Sequence, residues 1–252
     1  TVVESTIGTA GDNVTVVDST VNGSTNVSTV DAVIGTTHYA TLAEAIAAAN
    51  DGETIKLMRD IEVSLDNVAK NEAAITINKN ITLDGNGHTI KATRTTHNDS
   101  SKQHVLLVSG ANVEATIKNL TVDGNNEAKH GIQAYGGAKV TLNTVTSNNN
   151  QGYGVLANQS AITATDLKTS GNGWSGVNVD SNGTEQNPNQ TASFTLDGEN
   201  SEVQGIVIES SAGDTTTTTI KAGTVQGILV HAGEGESAGT DTIVVTGGTV
   251  NQ

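Results

Sequence analysis

The feature that most constrains this chain is a five-residue cadence built on glycine. It reads "HGIQA" at 130–134, "YGVLA" at 153–157, "SGVNV" at 175–179, "QGIVI" at 204–208 and "QGILV" at 226–230. The glycines are Gly131, Gly154, Gly176, Gly205 and Gly227, spaced 23, 22, 29 and 22 residues apart. The long interval carries the polar insertion "DSNGTEQNPNQ" with the only proline, Pro188; without seven of its residues the interval is 22 as well. A second motif runs between the glycines: "NITLDGNG" (80–87), "NLTVDGNN" (119–126), "TVTSNNN" (144–150), "DLKTSGNG" (166–173) and "SFTLDGEN" (193–200). Each cycle therefore offers an alternating strand, a turn, a second alternating strand and a turn rich in Asn and Gly. Alternation puts Ile132, Val155, Val177, Ile206 and Ile228 on one side of their strands, with Ala134, Ala157, Val179, Ile208 and Val230 beside them.

A cycle this short cannot be a propeller blade, which takes about 40–45 residues, and the leucine-rich-repeat pattern is absent. A coil of a parallel β-helix fits: each strand stacks on its counterpart one turn along, and columns of like residues fill a thin interior. A thin interior also accounts for an aromatic content of 2%, too low for an ordinary core. The abundance of Val, Ile and Thr argues against disorder.

Ahead of the repeats, "TLAEAIAAAN" (41–50) reads as the one helix. Thr41 and Glu44 form a capping box, Leu42, Ala45, Ile46 and Ala49 make one apolar face, and Gly52 is placed to end it. "ETIKLMRDI" (53–61) reads as a strand, and the helix is expected to cover the open end of the first coil. Residues 1–36, in which "VVESTI" (2–7) is echoed by "VVDSTV" (16–21), read as a linker or a short β segment of a preceding module. The domain proper is 37–252. "TIVVTGGTVNQ" stops inside a strand-like pattern, so the native chain is expected to continue with further modules.

The cycle resembles the 22-residue repeats of the right-handed parallel β-helix proteins, the pectin-lyase-like superfamily, over roughly 75–252. The passage "HYATLAEAIAAANDGETIKLMRDI" resembles the opening of adhesin-like β-helix domains in large bacterial surface proteins. The resemblance implies an all-β, right-handed β-helix solenoid of seven or eight coils with an N-terminal capping helix. Superfamily members include polysaccharide lyases, glycoside hydrolases and non-catalytic surface proteins, so it leaves function open.

Candidate chemistry is sparse. Net charge is −15, with 27 acids against 12 bases, which disfavours nucleic acid and anionic membrane surfaces. There is no cysteine and no apolar run long enough to span a bilayer. Asp84 and Asp123, alike in "LDGN" and "VDGN", could face each other on adjacent coils and share a hard cation such as Ca²⁺; as residues before Gly they also suit turns. His88 reads as a turn residue. Asn125, Asn126, Asn148, Asn149, Asn150 and Asn172 read as a stacked amide ladder. A row beside the repeating glycine, His130, Tyr153, Trp174, Gln204 and Gln226, could stack on and hydrogen-bond a sugar, or simply pack at coil corners. Serine-hydrolase and P-loop motifs are absent, as are the N-T-D, D-D, G-H-G and R-I-K runs of hydrolases with this fold. The expectation is a non-catalytic, extracellular structural or adhesive module of a larger bacterial surface protein, with a glycan or a surface protein as partner. The alternatives are a lyase or hydrolase with an atypical site, and a glycan-binding module.

Overall fold

Strict alternation of aliphatic and polar residues makes short strands with one buried side, and such strands are stable here only by stacking on copies of themselves. A computed structural model describes residues 30–96, 103–182, 189–232 and 237–251, with the short strands Val2–Val3, Thr6–Ile7, Val14–Val17, Thr20–Val21 and Val27–Thr29. Pro188 and most of the insertion (183–188) lie outside the described residues. The chain winds into a parallel β-helix of about seven turns.

One face carries a strand from each turn, in order Ala73–Ile77, His104–Ser109, His130–Tyr135, Tyr153–Asn158, Ser175–Asp180, Ile206–Ser210 and Ile228–Ala232, all parallel. Register stacks Ile75, Leu106, Ile132, Val155, Val177, Ile206 and Ile228 in one column and Ile77, Val108, Ala134, Ala157, Val179, Ile208 and Val230 in the next. These are the columns that alternation predicts. All but the last coil's members are buried, and Val230 is half-exposed.

The expected pair of strands joined by a turn is, in the middle coils, one long bent strand. Glu114–Asp123, Lys139–Asn148 and Ala161–Ser170 stack in parallel over their whole length. Each bends at one residue of positive φ: Asn119 (50°), Thr144 (55°) and Asp166 (55°). Asn and Asp tolerate this conformation, whereas β-branched Thr144 is strained in it. In earlier and later coils the same path is split, as in Thr82–Asp84 and Thr89–Thr93.

Opposite the seven-stranded face, Ile55, Leu83, Ile117, Leu142, Ala164, Leu196 and Ile220 form another buried column. Next to it stand Val140, Ile162, Phe194 and Thr218. Thr218 is fully buried and its hydroxyl has no partner. A buried unsatisfied hydroxyl costs more than the apolar group that would replace it. Thr218→Val is therefore expected to raise stability by about 1 kcal/mol, read as a higher midpoint in thermal unfolding; a lower midpoint would contradict this packing.

The N-terminal end is closed by two devices. Ala32–Ile34 pairs antiparallel with both Thr37–Tyr39 and Thr54–Leu57, so the sheet starts before residue 37. The helix spans Leu42–Ala48 with both hydrogen bonds of the capping box, and buries Leu42, Ala45 and Ile46. It ends earlier than Gly52 suggests. Ala49 is extended, and Lys79 from the next coil donates to the carbonyls of Ile46, Ala47 and Ala49 at 3.1, 2.7 and 2.8 Å. That cation satisfies the helix's last carbonyls. The echo in the first residues is also a stacking: Val2 pairs with Val16, Val3 with Val17, Thr6 with Thr20 and Ile7 with Val21.

Candidate functional site

In five of the seven strands of this face the repeating glycine marks where the strand begins, and the residue before it sits at the coil edge. In register, His104 pairs with His130 and Tyr153 with Ser175. The His104 and His130 rings stack at 5.0 Å, and those of His130 and Tyr153 at 5.3 Å. Trp174 is one residue out of register and meets His130 and Tyr153 edge-on at 5.9 and 5.1 Å. The Lys129 ammonium lies 3.4 Å from the Trp174 ring centre, a cation–π geometry. His104, His130 and Tyr153 are buried in this stack, while Trp174 is 57% exposed.

Of the row expected from sequence, His130, Tyr153 and Trp174 come together. Gln204 and Gln226 serve the coil corners instead. Gln204 accepts from Asn172 N–H at 2.9 Å and donates to the Asn172 carbonyl at 2.7 Å. Gln226 accepts from the Asn251 amide at 2.9 Å. The expected amide ladder is reduced to one rung between Asn150 and Asn172, and the other amides bond to backbone or to an acid, as Asn125 does to the Ala92 carbonyl. Asn150 donates to Asn172 Oδ1 at 2.8 Å, Asn172 donates to the Ser147 carbonyl, and Asn149 donates to Asp123 at 3.0 Å. His104 was missed because Val105, not glycine, follows it; "HVLLV" is otherwise the same strand.

The two acids do not face each other. Register sets Asp84 opposite Lys118 and Asp123 opposite Lys91 and Asn148, so they sit at different corners of the coil. Asp84 lies 3.4 Å from the Lys118 ammonium and accepts from Asn86 N–H and the Asn119 amide. Asp123 accepts from Asn125 N–H and the Asn149 amide. No group of three or more His, Asp or Glu among the described residues is arranged to hold a metal ion. His88 is a turn residue, its Nδ1 3.1 Å from Asp60.

Beside the aromatic stack, the outer side of the same face is a groove of about 710 Å³. Its floor holds Leu107, Gln133, Leu156 and Asn178, successive members of one outward column. One wall holds Ser109, Tyr135, Asn158 and Asp180. His104 and His130 border the other side, and Glu72 adds a second carboxylate. Asp180 is stacked on Glu209 and Glu209 on His231. Burial, aided by Glu209 and Asp214, pushes the Asp180 carboxyl up to about 6 against the opposing Asn182 N–H and His231.

Burial drives the imidazoles the other way. His104 is lowered to about 4 by burial and then Lys129; His130 is lowered to about 2 by burial, then His104 and Lys129, against Tyr153 N–H, which donates to its Nδ1. Both rings are thus neutral in the fold. An unfolded histidine takes a proton below about 6.5, which the folded rings refuse, so stability present above 6.5 is lost as pH falls toward 4. Asp180 has the opposite sign: its contribution is full below about 3.8 and is lost as pH rises through about 6. Two histidines outweigh one acid. The thermal midpoint is expected to fall by roughly 5–10 °C between pH 7 and pH 4.5, and to fall more steeply in Asp180→Asn. A flat profile over that window would contradict the buried neutral stack.

Residues 33–153 match the model of a protein family described as "Putative pectate lyase-like adhesive domain". The match opens on the N-terminal hairpin and closes at Tyr153 in the aromatic stack. The fold is the pectin-lyase-like parallel β-helix. Comparison with curated proteins gave no match, and neither did comparison with solved structures. The adhesive-domain match covers the helix, the first coils and three of the five strands that line the groove of this β-helix. No helix among the described residues is long and apolar enough to cross a membrane.

Proposed function

We propose that this chain is a non-catalytic adhesive module of a larger extracellular bacterial surface protein. The observation that carries this reading is the adhesive-domain match over residues 33–153. Physical support comes from the coils: parallel pairing along every turn, with side-chain hydrogen bonds between coils, makes a stiff stack, which suits a stalk that must present a surface at a distance.

A second reading, cleavage of a polysaccharide, is favoured by one feature. Asp180 and Glu209 are stacked on adjacent coils, and Asp180 titrates near 6, as a general acid would. Their hydrogen bonds weigh against it. Asp180 accepts from Asn182 N–H and the Asn158 amide, and Glu209 from the Asn178 amide, with His231 3.4 Å from its other oxygen. Carboxylates held on both oxygens are poorly placed to take up and release protons. Prolonged incubation with polygalacturonate and with neutral polysaccharides, with and without calcium, is expected to release neither unsaturated nor reducing ends. Release that disappears in Asp180→Asn would overturn the adhesive reading in favour of the enzyme.

A further inference from the structure

We infer that the last described coil is a dimerisation surface. On it the same end of a second copy of this chain docks, by antiparallel pairing of Ile228–Ala232 and of Thr240–Val245 with themselves. The two ends of the stack differ. In the first strand of the seven-stranded face, at the end that carries the hairpin and the helix, Ile75 and Ile77 are 5% and 0% exposed. In the last coil Val230 and Val245 continue core columns, yet they are 42% and 52% exposed. Tyr135 and Trp174 aside, the exposed large apolar side chains among the described residues all lie in this coil. Its two strands are also the edges of their sheets. Natural edges are guarded by Lys, by Pro or by a covering element. Neither strand holds a Lys or a Pro, and no Lys or Arg follows Lys221.

The backbone fixes how a mate must dock. Ile206 N–H donates to the Gly227 carbonyl at 2.9 Å, so alternate residues of the last strand bond back to the coil beneath. The N–H and C=O groups of Ile228 and Val230 therefore point out from the edge. In the opposite sheet, Thr240 N–H donates to the Asp214 carbonyl and Thr246 N–H to that of Ile220, both at 2.9 Å, which leaves the groups of Ile243 and Val245 pointing out. In both sheets the free backbone groups belong to residues whose side chains face the core.

The two edges share one symmetry axis. In the coil at 130–148 a tight turn joins His130–Tyr135 to Lys139–Asn148, which sets Ala134 across the core from Val140 and Ile132 across from Leu142. Register carries these positions to Val230 and Ile243, and to Ile228 and Val245, in the last coil. The midpoints are then Leu229 on one face and Val244 on the other. A two-fold axis through both, normal to the sheets, sets Ile228 against Val230 of the second copy and Ile243 against its Val245. Each such pair exchanges two backbone hydrogen bonds, and apolar side chains meet apolar side chains. Asp241, whose carboxylate accepts from the Thr216 hydroxyl at 2.7 Å, falls opposite Gly247 of the second copy, outside the paired segment. The contact is isologous and closes on itself.

Sedimentation equilibrium of the 252-residue chain, from micromolar to millimolar concentration, tests this. A monomer–dimer equilibrium with no larger species is expected. Two copies of charge −15 repel each other, so the dimer should tighten as salt rises. Val230→Lys and Val245→Lys are expected to weaken it at least tenfold, with the thermal midpoint of dilute protein unchanged. The axis also sets Leu229 and Val244 each against its own copy in a non-hydrogen-bonded pair, with Cα atoms about 4.5 Å apart, within disulfide reach. In a chain with no cysteine of its own, Leu229→Cys and Val244→Cys should each give a covalent dimer on mild oxidation. Tyr135→Cys, exposed in the middle of the stack, should not. A monomer at every concentration, open-ended oligomers, wild-type dimerisation in both lysine variants, or equal cross-linking in Tyr135→Cys would each overturn the inference. None of these outcomes bears on the adhesive reading.

Discussion

Gly131→Ala is expected to remove about 3 kcal/mol or more of stability, whereas Gly205→Ala is expected to cost less than about 1 kcal/mol. The two glycines hold the same place in the repeat but have different neighbours. A Cβ added at Gly131 would overlap Ser147 Oγ and lie 2.7 Å from the Gly154 carbonyl oxygen. That carbonyl already accepts from the Ser147 hydroxyl at 2.7 Å, and Ser147 is fully buried, so neither group can retreat. At Gly205 the closest atom is the Ser175 hydroxyl at 2.9 Å and the next is 3.6 Å away; one rotation relieves the contact. Gly154 resembles Gly131, with the Asn172 amide at 2.8 Å and the Gly176 carbonyl at 2.9 Å. The repeating glycine is therefore a packing requirement where a polar corner side chain turns inward. Urea unfolding of the two variants checks this, and equal loss in both would contradict it.

Phe194→Ala is expected to cost about 3–5 kcal/mol, the range for deleting a buried ring. Phe194 is the only phenylalanine and is fully buried, stacked between Ile162 and Thr218. Parallel pairing fixes the strands on both sides, so the coil cannot close over the void. Phe194→Leu keeps most of the volume and should lose less than half as much. Because neighbouring coils stabilise one another, the Ala variant should also broaden the transition, seen by calorimetry; an unshifted midpoint would show that the site collapses.

The core was legible in the sequence because a strand's side chains alternate with period two, and that period survives any uncertainty about turns. Ile132 and Ala134, and their counterparts as far as Ile206 and Ile208, are buried as alternation requires, and Ile81, Leu83 and Ile90 are too. The corners were less legible. "LDGN" and "VDGN" look equivalent, yet Asp84 pairs with Lys118, and Asp123 with Lys91. The cause is unequal coil length: Leu83 and Ile117, paired in register, are 34 residues apart, but Ile117 and Leu142 are 25 and Leu142 and Ala164 are 22. A positive φ at Asn119 then lets one strand run through a place where the earlier coil makes a turn. The spacing settles near 22–25 only from Ile117 on, the polar insertion apart, so aligning motifs by likeness shifted the early ones by one corner.

The candidate site was legible in part for a related reason. His130, Tyr153 and Trp174 flank the repeating glycine, so pattern alone collected them. The groove next to them is built from Leu107, Gln133, Leu156 and Asn178, a column with no common residue type and so no motif. Its members are recognisable only once the register is known.

The most direct test of the adhesive reading is retention of the 252-residue chain on bacterial and host cell surfaces and on immobilised polysaccharides, with the length of each soluble polysaccharide measured before and after incubation. Saturable retention on at least one surface, with every polysaccharide unchanged in length, is the expected result. No retention on any surface, or a polysaccharide that emerges shortened, would contradict it.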